Sequence, residues 1–428
     1  MMRCLILSIA VICCLLAVDV YAQGAPQPLT LDDCVRLALA APSSVRLARQ
    51  RSEIARYGQR QALASFLPRA QVNNLFWYNS PSITNPNLFS FVALNGIREY
   101  SSLFTVAQEL DTSGRLRAAL ARSQAERDAA AANLALTERD LKRAVAGSYY
   151  QLLLSWRVVQ VARDTLEEAH NFEARAKRLF QSGEAAQADV VKASAQVAFL
   201  DQALSSAELT AQIANQELAS FWTADVSVRL SLADIFDQAP PAPAESPPSS
   251  TPFLKRFEFN LLDAERRSFL ADSRQVRAGL LPQASVVFQY GVDALRVNAR
   301  DRGYAAFVNL NIPVFDWFKT RDASRQFGLQ AQQMETSRQI AERTFSKEYE
   351  NAQARVKIIH AQLATTQSQV KLSEENLRLS RVRYEGGEGS ALEVVAAQTQ
   401  LAQARTNYYS TMANYLTALA DLEVASGR

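Results

Sequence analysis

The chain has 428 residues, which is enough for two or three ordinary domains or for one long repeat structure. Its 46 basic and 43 acidic residues leave a net charge of only +3, so charge gives no support to a nucleic-acid-binding role. Three of the four cysteines lie within the first 14 residues, which argues against a fold built on internal disulfides.

Residues 1–22 have the pattern of a secretory signal peptide. Arg3 supplies the positive start, an apolar stretch follows, and Ala22 ends a plausible cleavage site with small residues. The apolar stretch is shorter than the roughly 20 residues that a membrane-spanning helix needs, although a retained anchor is the alternative. The remaining cysteine, Cys34, lies on the apolar face of LTLDDCVRLAL, and we predict a packed core thiol there.

Residues 23–221 form the first of two predicted halves. A helix capped by Thr30, with Asp33 three residues later, is expected to run to about Ser65. Pro68 marks the change from helix to strand. Strands are predicted on both sides of the turn-rich loop NSPSITNPN, and the second of them contains SLFTVAQEL.

Residues 222–252 are predicted to be a Pro-rich linker or loosely ordered segment between the halves, because six of the 14 prolines fall between Pro240 and Pro252. Residues 253–428 then repeat the order of the first half. A helix is predicted to about Gly279, and residues 285–292 alternate between two faces as a strand does. A further strand is predicted in YAAFVNLNIPVF.

The longest predicted elements are two helices of 67 residues each, 115–181 and 319–385. At about 1.5 Å per residue each would be on the order of 100 Å long, a length that needs a coiled-coil or similar setting. Apolar residues spaced by four and three form a seam in the second helix: Phe345, Tyr349, Ala352, Val356, Ile359 and Leu363. A matching seam begins at Val145, an offset of 200.

The same turn follows each long helix. FQSGEAAQADVV (180–191) and YEGGEGSALEVV (384–395) align at a constant offset of 204, with Gly183 against Gly387. Because the seams are offset by 200 and the turns by 204, the pattern predicts four residues inserted in one copy. Return helices are predicted over residues 187–221 and 391–425.

Each half supplies two strands of about 9 to 11 residues, the length that crosses a bilayer when tilted. Four strands cannot close, since small barrels need about eight, so the chain must either oligomerise or form a soluble sheet. Aromatic residues at strand ends, Trp77, Tyr78, Trp317 and Phe318, fit membrane interfaces. The alternative is that they are core residues of a soluble sheet.

No catalytic constellation is found in the sequence. The two histidines, His170 and His360, lie in predicted helices without a second ligand one turn away, so solvated or lumen-facing positions are expected and no metal site is predicted. The glycine-rich stretch after Arg383 follows a helix rather than a strand, which argues against a nucleotide site. We therefore predict a protein that is not an enzyme and has no cofactor.

The order and spacing of these elements resemble the TolC family of outer-membrane efflux channels. The resemblance covers nearly all of the chain after the signal peptide, and rests on LTLDDCVRLAL, the paired Leu-Pro breaks, the long helices and the twin turns. It implies a mixed α/β membrane protein with two internal structural repeats. Four strands from each chain would form a homotrimeric, twelve-stranded β-barrel in the outer membrane of a Gram-negative-type bacterium. The barrel would continue into a long α-helical coiled-coil barrel across the periplasm, and residues 222–252 would supply most of the equatorial belt around its middle.

The resemblance also implies roles for the turn residues. The turns would be periplasmic tips at which an adaptor (membrane fusion) protein docks, through Ser182, Gly183, Glu184, Gly386, Gly387, Glu388 and Gly389. The alternative is that the glycines only allow a left-handed turn. Asp189 and Glu393 would narrow the periplasmic aperture and favour cations, whereas the alternative is that they only stabilise helix starts.

The function implied by the resemblance is the exit duct of a tripartite efflux system. Small molecules would arrive from an inner-membrane pump through the adaptor and leave passively. A channel for type I protein secretion is the alternative within the family. A periplasmic coiled-coil adaptor or structural protein is the alternative of another class. Expected partners are two further copies of the chain, the adaptor, the pump and outer-membrane lipid, with no nucleic acid.

Overall fold

The computed structural model describes residues 28–87, 97–243, 251–294, 298 and 300–427. The predicted signal peptide, residues 1–22, lies outside the described residues. The first half contains α1 (Leu31–Ala40), α2 (Ser44–Ala64), β1 (Arg69–Tyr78), β2 (Arg98–Leu110), α3 (Arg115–Gln181) and α4 (Gln187–Ala219). A short 3-10 helix (Pro252–Lys255) precedes the second half, α5 (Phe257–Ala278), β3 (Gln283–Ala294), β4 (Arg302–Asn311), α6 (Lys319–Glu385) and α7 (Ala391–Ala425).

The N-terminal helix begins as predicted but does not run to residue 65. Thr30 caps α1 through its hydroxyl, which accepts a hydrogen bond from the Asp33 amide at 3.2 Å, and the Asp33 carboxylate accepts one from the Thr30 amide. The prediction of one continuous helix is wrong, because the chain breaks between Ala40 and Ser44. Pro42 disfavours helical backbone at Ala41, which is extended (φ −68°, ψ 161°).

The four strands form one antiparallel sheet in the order β1-β2-β3-β4. The register pairs Val72 with Phe104, Phe104 with Tyr290, and Tyr290 with Tyr304, so these residues share one face. The other face carries mainly polar side chains and glycines, including Gln71, Asn73, Thr105, Gln289, Gly291 and Asn309. One face of the sheet is therefore apolar and aromatic, and the other is largely polar.

Helices extend from one end of this sheet in two stacked layers. Next to the sheet, the neighbours in space follow the order α2, α3, α5, α6, and towards the turns they follow α4, α3, α7, α6. The seam residues pack as predicted: Val145, Tyr149 and Leu152 of α3 are buried in the largest core cluster together with Val356 of α6. The two long helices thus span both layers, and the shorter helices pair with them in turn.

The segment after α4 packs across the middle of the helices. Leu29 and Leu232 form a parallel backbone bridge, and the Tyr149 hydroxyl donates a hydrogen bond to the Ala233 carbonyl at 2.8 Å. Phe236 is fully buried and stacks on Tyr409, with ring centroids 6.2 Å apart. Residues 225–241 therefore form a belt that ties the first half to the second.

The predicted four-residue insertion in one long helix is wrong. The long helices α3 and α6 both contain 67 residues, and they begin and end at the same offset of 204. Residues four apart on a helix lie on nearly the same face, so the apolar seam matches almost as well at 200 as at 204. Periodicity alone could not separate the two alignments.

Among the helices that the structure describes, none combines the length and apolar character needed to cross a membrane.

Candidate functional site

The first tip turn is a complete Schellman motif. Gly183 has a left-handed backbone (φ 81°), and its amide donates to the Phe180 carbonyl at 3.1 Å. The Glu184 amide donates to the Leu179 carbonyl at 2.8 Å, and this pair of bonds satisfies the free carbonyls at the end of α3. Ser182, Gly183 and Glu184 are all exposed.

The second tip turn repeats this geometry. Gly387 has φ 76°, its amide donates to the Tyr384 carbonyl at 3.1 Å, and the Glu388 amide donates to the Arg383 carbonyl at 2.9 Å. A Cβ added at Gly389 would lie 3.0 Å from the Tyr384 nitrogen, so this turn packs closely against its own helix. The two left-handed glycines, Gly183 and Gly387, are therefore required by the backbone, whatever else they do.

Adjacent glycines in the second turn allow a matched stability test. Gly387→Ala is expected to lower the free energy of unfolding by about 1 kcal/mol, because an L side chain disfavours left-handed backbone. Gly386→Ala is expected to change it little, since Gly386 has φ −79° and a Cβ there would make only ordinary contacts, the nearest at 3.5 Å. Urea unfolding of detergent-solubilised protein, followed by circular dichroism, measures both; equal losses would contradict the assignment.

The two turns lie side by side because the hairpins pack on each other above them. Phe172 of α3 contacts Tyr384 of α6, with ring centroids 5.1 Å apart, in a small core that includes Ala193 and Val394. An ion pair at 2.6 Å also joins Arg381 to Glu168 across the hairpins. The predicted tip residues are therefore brought together at one end of the protein.

The repeated turn motif differs in burial between the two copies. Tyr384 and Val394 are buried in the core between the hairpins, whereas their counterparts Phe180 and Val190 are less enclosed, with Phe180 44% exposed. The neighbouring Val191 is 61% exposed. The second tip faces the partner hairpin within the chain, and the first tip presents apolar side chains outwards at the edge of the helix layer.

The predicted aperture acids both have a cation from their own hairpin. Glu393 Oε2 lies 3.2 Å from Arg383 Nη1, and Asp189 Oδ1 lies 3.9 Å from Lys192 Nζ. Burial raises the pKa of the Tyr384 hydroxyl, and the nearby Asp189 carboxylate adds to this rise. Sequence reasoning missed both cations, although Lys192 lies three residues after Asp189, and Arg383 lies in the last turn of α6, across the tip turn from Glu393.

The predicted interface aromatics occupy different positions relative to the sheet. Tyr78 pairs with Arg98 and lies on the apolar face at the end remote from the helices. Trp77 pairs with Glu99, and therefore lies on the polar face. Trp317 and Phe318 follow β4 at the end of the sheet that joins the helices, and both are exposed.

The two histidines do not form a metal site. His170 is exposed, and His360 is half-buried against Tyr415 with ring centroids 5.2 Å apart. Among the described residues, no three His, Cys, Asp or Glu side chains are grouped so that they could hold a metal ion. Cys34 is fully buried in the core as predicted, and burial followed by the nearby Asp33 charge raises the pKa of its thiol to about 11.

Comparison with known proteins decides the family. The model of the outer membrane efflux protein family matches residues 34–224 and 255–428. The chain belongs to this family. A curated relative, the cobalt-zinc-cadmium resistance protein CzcC of Cupriavidus metallidurans, is 23% identical over 419 residues, which cover 96% of this chain and 93% of the relative.

Solved structures share the fold of this outer membrane efflux protein. The CmeC outer membrane channel of Campylobacter jejuni aligns with a TM-score of 0.82 at 17% identity, covering 93% of this chain and 85% of that one. The outer membrane protein VceC of Vibrio cholerae aligns with a TM-score of 0.79 at 15% identity, covering 93% and 96%.

Family membership confirms the resemblance drawn from the twin turns and long helices. The protein is an outer-membrane efflux protein and not an enzyme. The alternative interpretation as a periplasmic adaptor or a purely structural coiled coil is wrong, because both matched stretches belong to the channel family.

Proposed function

We propose that three copies of the chain close a twelve-stranded barrel and that the assembly is the exit duct of a tripartite efflux system. The observation that carries this proposal is the state of the edge strands. Every residue of β1 and β4 is exposed, whereas the central strands β2 and β3 contain buried residues. Open strand edges are not viable in lipid, so β4 of one copy must pair with β1 of the next.

The outer helices support the same arrangement. The helices α2, α4 and α6 lie at the edges of the two helical layers, and each exposes large apolar side chains. They include Leu47, Ile54 and Leu63 on α2, Val191, Phe199, Leu209 and Ile213 on α4, and Leu329, Ile340, Ile358, Leu372, Leu379 and Val382 on α6. In a closed ring α6 of one copy meets α2 and α4 of its neighbour, which removes this surface from water.

Trimer closure and conduction are tested together on purified protein. We expect a heat-resistant trimer in the outer-membrane fraction and ion conduction in planar lipid bilayers. A stable monomer that passes no current would overturn the proposed duct.

The tips are the proposed docking surface for a periplasmic adaptor of an inner-membrane pump. Both turns are exposed, lie next to each other and point away from the sheet, which supports a partner approaching from the inner membrane. The curated relative is by name a cobalt-zinc-cadmium resistance protein. For this chain we propose small-molecule efflux, with cargo selected mainly by the pump.

Cysteine cross-linking at the tips identifies the partner. Ser182→Cys and Glu388→Cys place thiols on exposed positions without touching the left-handed glycines. The native Cys34 thiol is buried, so it adds little background. We expect both variants to capture an adaptor in cells, whereas Arg163→Cys, which lies on α3 about five helical turns before the tip, is the control and should not. Capture of an adaptor from a type I secretion system would favour the alternative cargo, and capture at all three positions would contradict tip docking.

Asp189 and Glu393 are proposed to line the periplasmic aperture. Three copies of each acid would surround one axis, but Lys192 and Arg383 compensate part of this charge. Replacing both acids by alanine is therefore expected to weaken cation preference in single-channel recordings. Unchanged selectivity would reject the aperture role and leave the acids as helix-start residues.

A further inference from the structure

The turn between β4 and α6 holds two bulky residues in left-handed backbone. Trp317 (φ 57°) and Phe318 (φ 65°) are the non-glycine residues with positive φ among those that the structure describes. Aromatic side chains disfavour this conformation, and such strain persists where the surroundings or a function require it. Both side chains are nonetheless exposed, Trp317 at 83%, so burial in a core of the chain does not account for the conformation.

The corresponding turn of the first half shows what the fold itself needs. Gly114 stands at the position of Phe318, one residue before the long helix, with the same left-handed backbone (φ 79°). A glycine takes this conformation without strain. The second half therefore has an aromatic residue where the backbone favours glycine. The turn itself does not require an aromatic side chain at this position.

The cations beside the two turns differ in the same way. In the first half, Arg115 binds Glu109 at 2.5 Å and Arg117 binds Asp111 at 2.7 Å. In the second half, Lys319 has no carboxylate partner among the described residues. Arg321 is paired only with the adjacent Asp322, at 3.2 Å and with both side chains 67% exposed. The second turn thus carries cations whose charge is available to an external anion.

The aromatic rings and the cations form one surface, which we call the aromatic-basic turn (Phe315, Trp317, Phe318, Lys319 and Arg321). Phe315 contacts Trp317 with ring centroids 5.0 Å apart, and the Arg321 guanidinium lies 4.6 Å from the centroid of the Phe318 ring. The Asp316 carboxylate caps α6 by accepting from the Thr320 amide at 2.8 Å. An anion would therefore be bound by the Lys319 and Arg321 side chains rather than by the amide groups at the start of α6.

We propose that the aromatic-basic turn binds an anionic phospholipid of the periplasmic leaflet, an inference that rests on the proposed barrel. The strand register puts Asn311 beside Gln283 at the end of the sheet joined to the helices, so the turn lies at the periplasmic rim. The apolar sheet face continues into it through Leu310. Aromatic rings at headgroup depth with adjacent cations match the chemistry of an acyl chain joined to a phosphate.

The test uses the full-length trimer in nanodiscs with brominated lipids, which quench tryptophan on contact. The contribution of Trp317 is obtained by difference from Trp317→Phe. The quantity measured is the mole fraction of brominated lipid that quenches half of the Trp317 fluorescence. We expect this fraction to be lower for brominated phosphatidylglycerol than for brominated phosphatidylethanolamine. The double variant K319Q/R321Q should raise the half-quenching fraction of phosphatidylglycerol roughly 25-fold, since each basic residue contributes about fivefold.

Two further variants keep the result unambiguous. The control R36Q/R163Q removes the same charge from exposed ion pairs on the helices, and should leave quenching unchanged. Phe318→Gly relieves the backbone strain, so thermal stability in detergent should hold or rise while the lipid preference falls.

Equal quenching by both lipids would overturn the proposal. It would also be overturned if Phe318→Gly dissociated into monomers and kept its lipid preference, because the turn would then pack between copies of the chain rather than bind lipid. Trimer mass and conduction, measured on the same samples, show separately whether the barrel itself has failed.

Discussion

Replacing Phe288 by arginine is expected to remove the protein from the outer membrane. Phe288 lies in the middle of β3 on the apolar face, paired with Val106 and Ala306, and is 41% exposed. An arginine facing lipid near the bilayer centre costs about 2–4 kcal/mol in a barrel, and a trimer would carry three of them. Fractionation of membranes followed by unheated gel electrophoresis measures the loss of assembled trimer.

The adjacent residue provides the matched control for this change. Gln289 lies on the opposite, polar face, where its side chain donates a hydrogen bond to the Thr105 hydroxyl at 3.4 Å. Gln289→Arg adds the same charge to the proposed lumen, so the trimer should still assemble while its cation preference falls. Loss of trimer in both variants, or in neither, would contradict the assignment of the two faces.

Replacing Glu258 by glutamine is expected to lower the free energy of unfolding by about 3 kcal/mol. Glu258 begins α5 and accepts hydrogen bonds from Arg256 at 2.6 Å and from Arg139 at 3.0 Å. Arg256 also binds Glu348 at 2.7 Å and lies 3.7 Å from the centroid of the Phe345 ring. Both arginines are largely buried, so the variant leaves two cations without their shared acid in a dry environment.

The control for this change is Glu375→Gln, because Glu375 is exposed and binds only Arg378, at 2.7 Å. Exposed pairs of this kind are screened by solvent and contribute little, so a much smaller loss is expected there than at Glu258. Urea unfolding of both variants beside the unchanged protein measures the difference. A similar small loss at both positions would mean that the Glu258 cluster does not stabilise the fold.

The same cluster predicts the acid sensitivity of the fold. Burial opposes ionisation of Glu258, but the hydrogen bonds from Arg256 and Arg139 outweigh it and lower the pKa to about 2. A lowered acid pKa stabilises the folded state above the ordinary value of 4.5, and this contribution is lost as pH falls through about 2. Unfolding free energies measured from pH 6 to pH 2 should therefore fall less steeply in Glu258→Gln than in the unchanged protein.

Elements with a strong local pattern were predictable from the sequence. The bounds of α3 and α6 were predicted correctly, because absence of proline, sustained heptad spacing and a terminal glycine each depend on nearby residues only. The strands were predictable for the same reason, since alternation and Pro282 mark the start of β3. The break at Pro42 was missed, because the apolar pattern continues on both sides of it.

Features that depend on distant residues were not predictable in this way. The two tip motifs have nearly the same residues, but Tyr384 is buried and Phe180 is exposed. The difference arises because α6 and α7 pack against α3, whereas α4 lies at the edge of the layer. Likewise, Trp77 and Tyr78 were predicted together as interface aromatics. As neighbours in a strand they must point to opposite faces, but only the strand register shows that Tyr78 lies on the apolar face and Trp77 on the polar one.

The sequence by itself determined the lengths of the helices and strands, the positions of the turns and the duplication of the whole unit, since all of these follow from backbone preferences and apolar spacing along the chain. Only the tertiary structure decided which helices are neighbours, which edges stay open, and which charges find a partner. Those properties depend on pairs of residues far apart in sequence, such as Arg139 with Glu258 and Arg381 with Glu168, whose free energy of interaction exists only once the two halves have packed together.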